Sequence, residues 1–432
     1  MVTIKPFAAL RPKPEQAAQI CELPYDVMSS EEARQLASGN PLSFLHVSKP
    51  EIDLSAGTDL YSPAVYARGR ENFCRLISEG ALQRDLKPAY YLYRQVMGAH
   101  SQTGVVAAAS CEDYLKSIIK KHELTRPDKE DDRVRHIESL DSQTGPVFLV
   151  APESAGLSAA IATILGEPSQ RTQKVEDEDE KEDEDEVNGE AARIKPDTDF
   201  VAKDGVRHTS WTIADPAGIE SLAQCFSRTA ALYIADGHHR SAAAARVYQT
   251  RKGAGASGFF LSVIFPQEQV QILPYNRVLR DLNGASAEKI LEKLDAVFII
   301  HRDGAAKPTR KHELGLYVGR KWYGLNFRPR FAATNDPIEK LDVTLLQKYV
   351  LDPIFGIDDP RTSKRINFIG GIRGTAELER AVNSGEYACA FSMFPTGIDD
   401  LMSIADAGGI MPPKSTWFEP KLRDGMFCHM IT

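Results

Sequence analysis

The stretch Leu232-Tyr233-Ile234-Ala235-Asp236-Gly237-His238-His239-Arg240, followed at once by Ser241, four alanines and Arg246, constrains this chain more than any other part of it. An apolar run ends in an acid and a glycine, and a run of strong helix formers begins directly behind. That is a strand–turn–helix unit, and it points to an α+β (mixed α/β) protein whose turn sits at the carboxyl edge of a sheet, where such folds hold ligands. The first N–H groups of the helix have no partner within it, so the turn is expected to attract an anion. Gly237 lets the backbone come close to a ligand. Arg240 can grip phosphate oxygens with parallel donors. His238 and His239 can donate to phosphate or move protons near neutral pH. Asp236 offers a general base or a magnesium ligand.

The chain of 432 residues has room for two or three domains. No apolar run is long enough to cross a membrane, and Met1-Val-Thr-Ile-Lys-Pro-Phe7 lacks the apolar segment of a signal peptide. Cys21, Cys74, Cys111, Cys225, Cys389 and Cys428 have no paired spacing. They point to free thiols in the cytoplasm, not to a disulfide framework or a zinc ribbon. The net charge of −8 is local: residues 176–186 hold ten acids and one lysine, −9, which leaves about +1 for the rest. Nothing in that balance suggests a nucleic-acid partner. The polar stretch 170–197 is expected to be a disordered acidic insertion. It would separate an N-terminal α/β part, 1–169, from a C-terminal part, 198–432, that carries the turn.

Ser29 and Glu32 have capping-box spacing for a helix through Leu36. Residues 42–47 and 146–150 read as strands and 62–78 as a helix. Gly319-Arg320 between two strand-like runs signals a hairpin. The tail from Gly409 onward reads as Pro- and Gly-rich and polar.

A second charged cluster, Lys121-His122-Glu123-Leu124-Thr125-Arg126 with Glu130 and Arg133, is either a solvated helix face with ion pairs or a further set of phosphate and metal contacts. It is not a zinc-protease helix, because Arg126 stands where the second His would be. Gly408 through Ser415 nearly spell a phosphate loop, but Pro413 replaces the second glycine and has no N–H to give. A rigid proline turn presenting Lys414, Ser415 and Thr416 to an anion fits better. No G-x-S-x-G elbow supports a serine hydrolase. Asp26, in Pro24-Tyr25-Asp26-Val27, is a turn former that could also hold a substrate.

Leu23-Pro-Tyr-Asp-Val27, Asn40-Pro41, the 121–133 cluster, Tyr233–Arg240, Leu273-Pro-Tyr-Asn-Arg277 and Ile410–Thr416 together resemble a bacterial and archaeal family filed as domain of unknown function number one thousand and fifteen. Gly237-His238-His239-Arg240 is also similar to the nucleotide-phosphate motif of the ParB/sulfiredoxin superfamily, which includes nucleotide-dependent kinases of free serine. Where sulfiredoxins carry Cys this chain has His238, and no basic recognition helix of the ParB type is evident. The resemblance implies a small-molecule phosphotransferase that uses ATP or ADP with Mg²⁺, with L-serine as the candidate acceptor. Gly237, His239 and Arg240, with Lys121, His122, Arg126, Arg133, Lys414, Ser415 and Thr416, would hold phosphate. Asp236, His238, Glu123 and Asp26 would do the chemistry, and Asp236 or Glu123 would hold the metal. A phosphatase or nucleotide hydrolase on the same anion site, and a non-catalytic nucleotide-binding regulator, are the alternatives.

Overall fold

The strand–turn–helix expected from residues 232–246 is present in the computed structural model, which describes residues 1–167 and 194–432. The greater part of the expected acidic insertion lies outside the described residues. The described chain is α+β and forms two units: residues 1–270 with 420–432, and residues 271–419. Neither break coincides with the boundary expected at 170–197. Strands from both sides of that stretch share one sheet, so their hydrogen bonds hold them in a single unit. Among the described residues no helix is long and apolar enough to cross a membrane.

The first unit is built on a nine-stranded mixed sheet. Its strands are β1 (Ile4–Lys5), β2 (Tyr90–Met97), β3 (His100–Ser110), β4 (Ile119–Lys120), β5 (Val147–Ala151), β6 (Thr198–Val201), β7 (Arg207–Ile213), β8 (Leu232–Asp236) and β9 (Phe259–Pro266). Their order is β4-β8-β5-β9-β3-β2-β7-β6, with β1 also on β3. Strands β8 and β4 run parallel, as do β9 and β5; β8 and β5 run antiparallel. The central strands are apolar on both faces because both are covered: Val105, Ala107, Leu149, Ile234 and Ile264 belong to one buried cluster, and Val106, Phe148, Val150 and Val263, which alternate with them, are buried too. Helices α1 (Pro63–Ser78), α2 (Pro127–Leu140) and α3 (His238–Arg251) matter most for the site. Ile137 of α2 packs with Ala243 and Val247 of α3. Arg246 bridges to Glu130 at 3.4 Å and Asp131 at 2.7 Å.

The capping box is formed: Glu32 N–H donates to Ser29 Oγ at 3.2 Å, and Ser29 N–H to Glu32 Oε2 at 2.8 Å. Residues 42–47 are not a strand. Leu45–Ser48 is a short helix, because Phe44 and Val47, one helical turn apart, both reach the core beside Phe73 and Leu76 of α1. The 121–133 cluster is not one helix face either. It leaves β4 as an extended loop, and α2 starts only at Pro127, a residue suited to a first helical position.

The second unit carries a six-stranded antiparallel sheet. Its strands are β10 (Tyr275–Leu279), β11 (Phe298–His301), β12 (Glu313–Val318), β13 (Lys321–Phe327), β14 (Ile366–Gly370) and β15 (Cys389–Met393), in the order β11-β13-β12-β15-β10-β14. The expected hairpin joins β12 to β13. Gly319 (φ 57°) and Arg320 (φ 60°) both take the left-handed conformation that a two-residue turn of the right twist needs.

Candidate functional site

Strand β8 delivers Asp236 to the sheet edge, and Gly237 turns the chain into α3 with φ 99°. A side chain at Gly237 would bring its Cβ to 3.3 Å from the Arg240 guanidinium and from the Val147 backbone. Among the described residues no side chain caps the helix, so its first N–H groups lack a side-chain partner, and Ser241 N–H is the first to bond back, to the Gly237 carbonyl.

Arg240 is 8 % exposed. Its Nη1 donates to the Pro146 carbonyl, while Nη2 lies 3.5 Å from Asp26 Oδ2 and 3.6 Å from Asp236 Oδ1. Its Nε is buried without a partner among the described residues. Burial works against the charge, but Asp26 and Asp236 outweigh it and hold the guanidinium above its ordinary pKa. Asp236 is also held by Lys421 Nζ at 3.0 Å. Against the opposing effect of burial, Lys421 and then Arg240 keep its carboxyl well below the usual range.

The loop after β4 packs on the same turn. His122 N–H donates to His238 Nε2 at 3.4 Å, and the two imidazoles meet edge to face at 4.4 Å. With Nε2 accepting, the His238 proton sits on Nδ1, which lies 3.7 Å from Glu123 Oε2. Burial drives His238 well below its ordinary pKa and takes His122 to about 4, so both rings are neutral. Arg126 N–H donates to His239 Nε2 at 3.1 Å. The structure therefore brings Asp26, His122, Glu123 and Arg126 to the 236–240 turn.

Other expected residues are engaged elsewhere. The Arg126 guanidinium is exposed and paired with Asp128 at 2.8 Å. Lys121 Nζ lies over the Tyr114 ring at 4.4 Å. Arg133 is buried, paired with Asp132 at 2.7 Å, and stacked 3.8 Å from the Tyr25 ring centre. Lys414, Ser415 and Thr416 belong to the second unit. As for magnesium, among the described residues no three His, Cys, Asp or Glu side chains group as a metal cage. Both oxygens of Asp236 already face cations, which disfavours a metal there.

The sequence reading missed Lys421, Arg423 and Asp424, which residues 420–432 bring back to the first unit. Arg423 Nε donates to His208 Nε2 at 3.0 Å, and its Nη2 pairs with Asp204. Asp424 is 2 % exposed and its Oδ1 has no partner among the described residues. Burial pushes its carboxyl up to about 7, against the pull of Arg240 and Arg133. Ser48, Asp424, Arg133 and Arg240 line a cavity of about 30 Å³, and the Ser48 hydroxyl is also unpartnered. A polar space of that size suits one water. One signal was available: Leu422, Met426, Phe427, Cys428 and Ile431 make this segment too apolar for a solvated tail.

Fold and corner together define an α+β protein with an open helix N-terminus ringed by paired charges. The chain belongs to the family described as protein of unknown function DUF1015, which it matches over residues 4–344. Three solved structures are similar. A conserved hypothetical protein from Pyrococcus furiosus is 15% identical with a TM-score of 0.34, over 76% of this chain and 95% of that one. A free serine kinase in complex with AMP is 15% identical with a TM-score of 0.34, over 73% and 86%. SbnI from Staphylococcus aureus with a C-terminal truncation is 9% identical with a TM-score of 0.37, over 75% and 87%. No functionally curated protein matches the chain.

Proposed function

We propose that the first unit binds the phosphates of a nucleotide at the 236–240 turn and transfers a phosphoryl group to a small alcohol, on a ParB/sulfiredoxin-like core. One observation carries the reading: the buried Arg240, with an unpartnered Nε, stands beside the uncapped N-terminus of α3. A fixed guanidinium and free backbone N–H groups at one point are the means by which proteins hold phosphate. The backbone of 238–240 and the Nδ1–H of His239 would cradle it. Mg²⁺ would enter on the nucleotide, since magnesium sites lean on substrate phosphates and keep few protein ligands.

Asp236, locked between Lys421 and Arg240, is too weak a base. Glu123 is the better one, with the Nδ1–H of His238 facing its carboxylate. Glu123 takes the proton from the acceptor hydroxyl, and that oxygen forms the new bond to the terminal phosphorus. The bond to the bridging oxygen breaks, and the shortened nucleotide leaves with the electron pair. Positioning and charge neutralisation supply most of the catalysis in such transfers. Asp26 orients the acceptor, and Arg126 swings from Asp128 to meet developing charge. Arg133 keeps Tyr25 and its loop in place. Free serine is the acceptor suggested by the Gly-x-His-Arg resemblance, and ATP or ADP the donor.

The test is a thermal shift with ATP and ADP, with and without Mg²⁺, followed by phosphate transfer to serine. A nucleotide should raise the melting point of the parent and leave Arg240→Ala unmoved. Glu123→Gln should still be stabilised but lose turnover. Equal stabilisation of parent and Arg240→Ala refutes the phosphate site. Binding without turnover on any alcohol refutes the kinase and leaves a regulator.

A further inference from the structure

The second unit holds a buried cation with no counter-ion among the described residues. Arg277, in the centre of β10, is 4 % exposed. Among the described residues its hydrogen bonds run only to backbone carbonyls, from Nη1 to Tyr275 and from Nη2 to Lys414 at 3.1 Å. Among the described residues no carboxylate lies within ion-pair distance of it. Burial with no acid nearby lowers the guanidinium to about 10. A buried charge is retained only where something compensates it.

A second unpaired cation sits beside the first. Lys414 is exposed and makes no ion pair among the described residues, and its ammonium lies 5.2 Å from the Tyr275 ring centre. It occupies the left-handed region (φ 61°) on a turn closed by Ser415 Oγ, which donates to the Pro412 carbonyl at 2.6 Å. A non-glycine residue held there is sterically disfavoured, and such positions persist where the surroundings fix them. Around the two cations stand Tyr275, Phe368 and Trp417, with Tyr275 edge-on to Phe368 at 5.9 Å and to Trp417 at 5.0 Å. The one acid in this segment, Glu419, receives Trp417 Nε1–H at 2.8 Å. The sequence explains the arrangement: Tyr275 and Arg277 point to one face of the strand, and the Pro412-Pro413 turn brings Lys414 over that face.

We infer that Arg277 and Lys414 form an anion site of the second unit, which takes the phosphate or carboxylate group of a small ligand against the Tyr275–Trp417 aromatic wall. The site stands apart from the nucleotide reading of the first unit, and it assigns the Leu273–Arg277 and Ile410–Thr416 motifs to one task.

The experiment is calorimetric titration of the full chain carrying Arg240→Ala with inorganic phosphate and, separately, with acetate. That background removes the guanidinium on which the first unit's reading rests, so failure of either reading is seen apart from the other. Saturable binding is expected for at least one anion, and the preferred one names the ligand group. Lys414→Gln, a surface change that keeps the fold, should weaken it about tenfold or more. Arg277→Met should abolish it and, without anion, melt above its parent, because an uncompensated buried charge is gone. Absence of saturable binding by both anions, or an affinity unchanged by Lys414→Gln, overturns the inference.

Discussion

Replacing Asp424 with Asn should change how stability depends on pH, by an amount and with a sign that the cavity dictates. The carboxyl is buried with one oxygen unpartnered, and it titrates near 7 instead of its ordinary 3.8. The folded chain therefore holds a proton there that the unfolded chain releases above pH 4. Stability from this group is full below 3.8 and is lost as pH rises toward 7. Each unit of pH across that window is worth about 1.4 kcal/mol, so from pH 5 to 8 the parent should lose about 3 kcal/mol relative to Asp424→Asn. The parent's own curve will not display this directly. Burial holds His122, His136 and His429 at about 4. Each stabilises the fold progressively as pH climbs from 4 to 6.5, in the opposite direction. The difference between variant and parent cancels the histidines. The assay is urea unfolding at pH 5, 6, 7 and 8, followed by Trp211 of the first unit in a Trp322→Phe, Trp417→Phe background. A constant difference across the series would refute the reasoning, because it would mean that water reaches the carboxylate and its charge is not opposed.

Two further perturbations test the corner itself. Gly237→Ala places a Cβ at φ 99°, 3.3 Å from the Arg240 guanidinium; differential scanning fluorimetry should show a loss equivalent to about 1–3 kcal/mol, together with loss of the nucleotide response. Lys421→Met leaves Asp236, whose side chain is 29 % exposed, with Arg240 alone at 3.6 Å. The loss should be about 1–3 kcal/mol at pH 6, discounted for that exposure. It should shrink as pH falls below 3.8, since Asp236 is held ionised in the fold, and Asp236→Asn in the same chain should restore most of it.

The parts of this molecule that could be read from its sequence are those whose physics is local. The apolar run before Asp236, the glycine behind it and the alanines that follow specify a strand, a turn and a helix without reference to anything else. Ser29 and Glu32 form their cap through hydrogen bonds three residues apart, and Gly319-Arg320 its hairpin within six. What depends on distant partners was hidden. Residues 42–47 have the composition of a strand, and only the core that Phe44 and Val47 share with Phe73 makes them helical. The pairing of Lys421 with Asp236 spans 185 positions, and no periodicity encodes it. In the sequence Arg277 is one arginine among many; what sets it apart is a strand between two others and, among the described residues, no carboxylate within ion-pair distance.

The order in which the first unit is made follows from its division along the chain. Its sheet, its turn and Arg240 are all translated before residue 271, yet Lys421, Arg423 and Asp424 emerge only after the whole second unit. While those 149 residues are being added, Lys421 is not yet there to pair with Asp236, and the loop at Glu22 lacks its bridge to Asp424. A nascent chain of that length therefore lacks the residues that close the corner. A chain stopped at residue 419 would carry every motif of the nucleotide reading and still lack the ammonium that neutralises its central carboxylate.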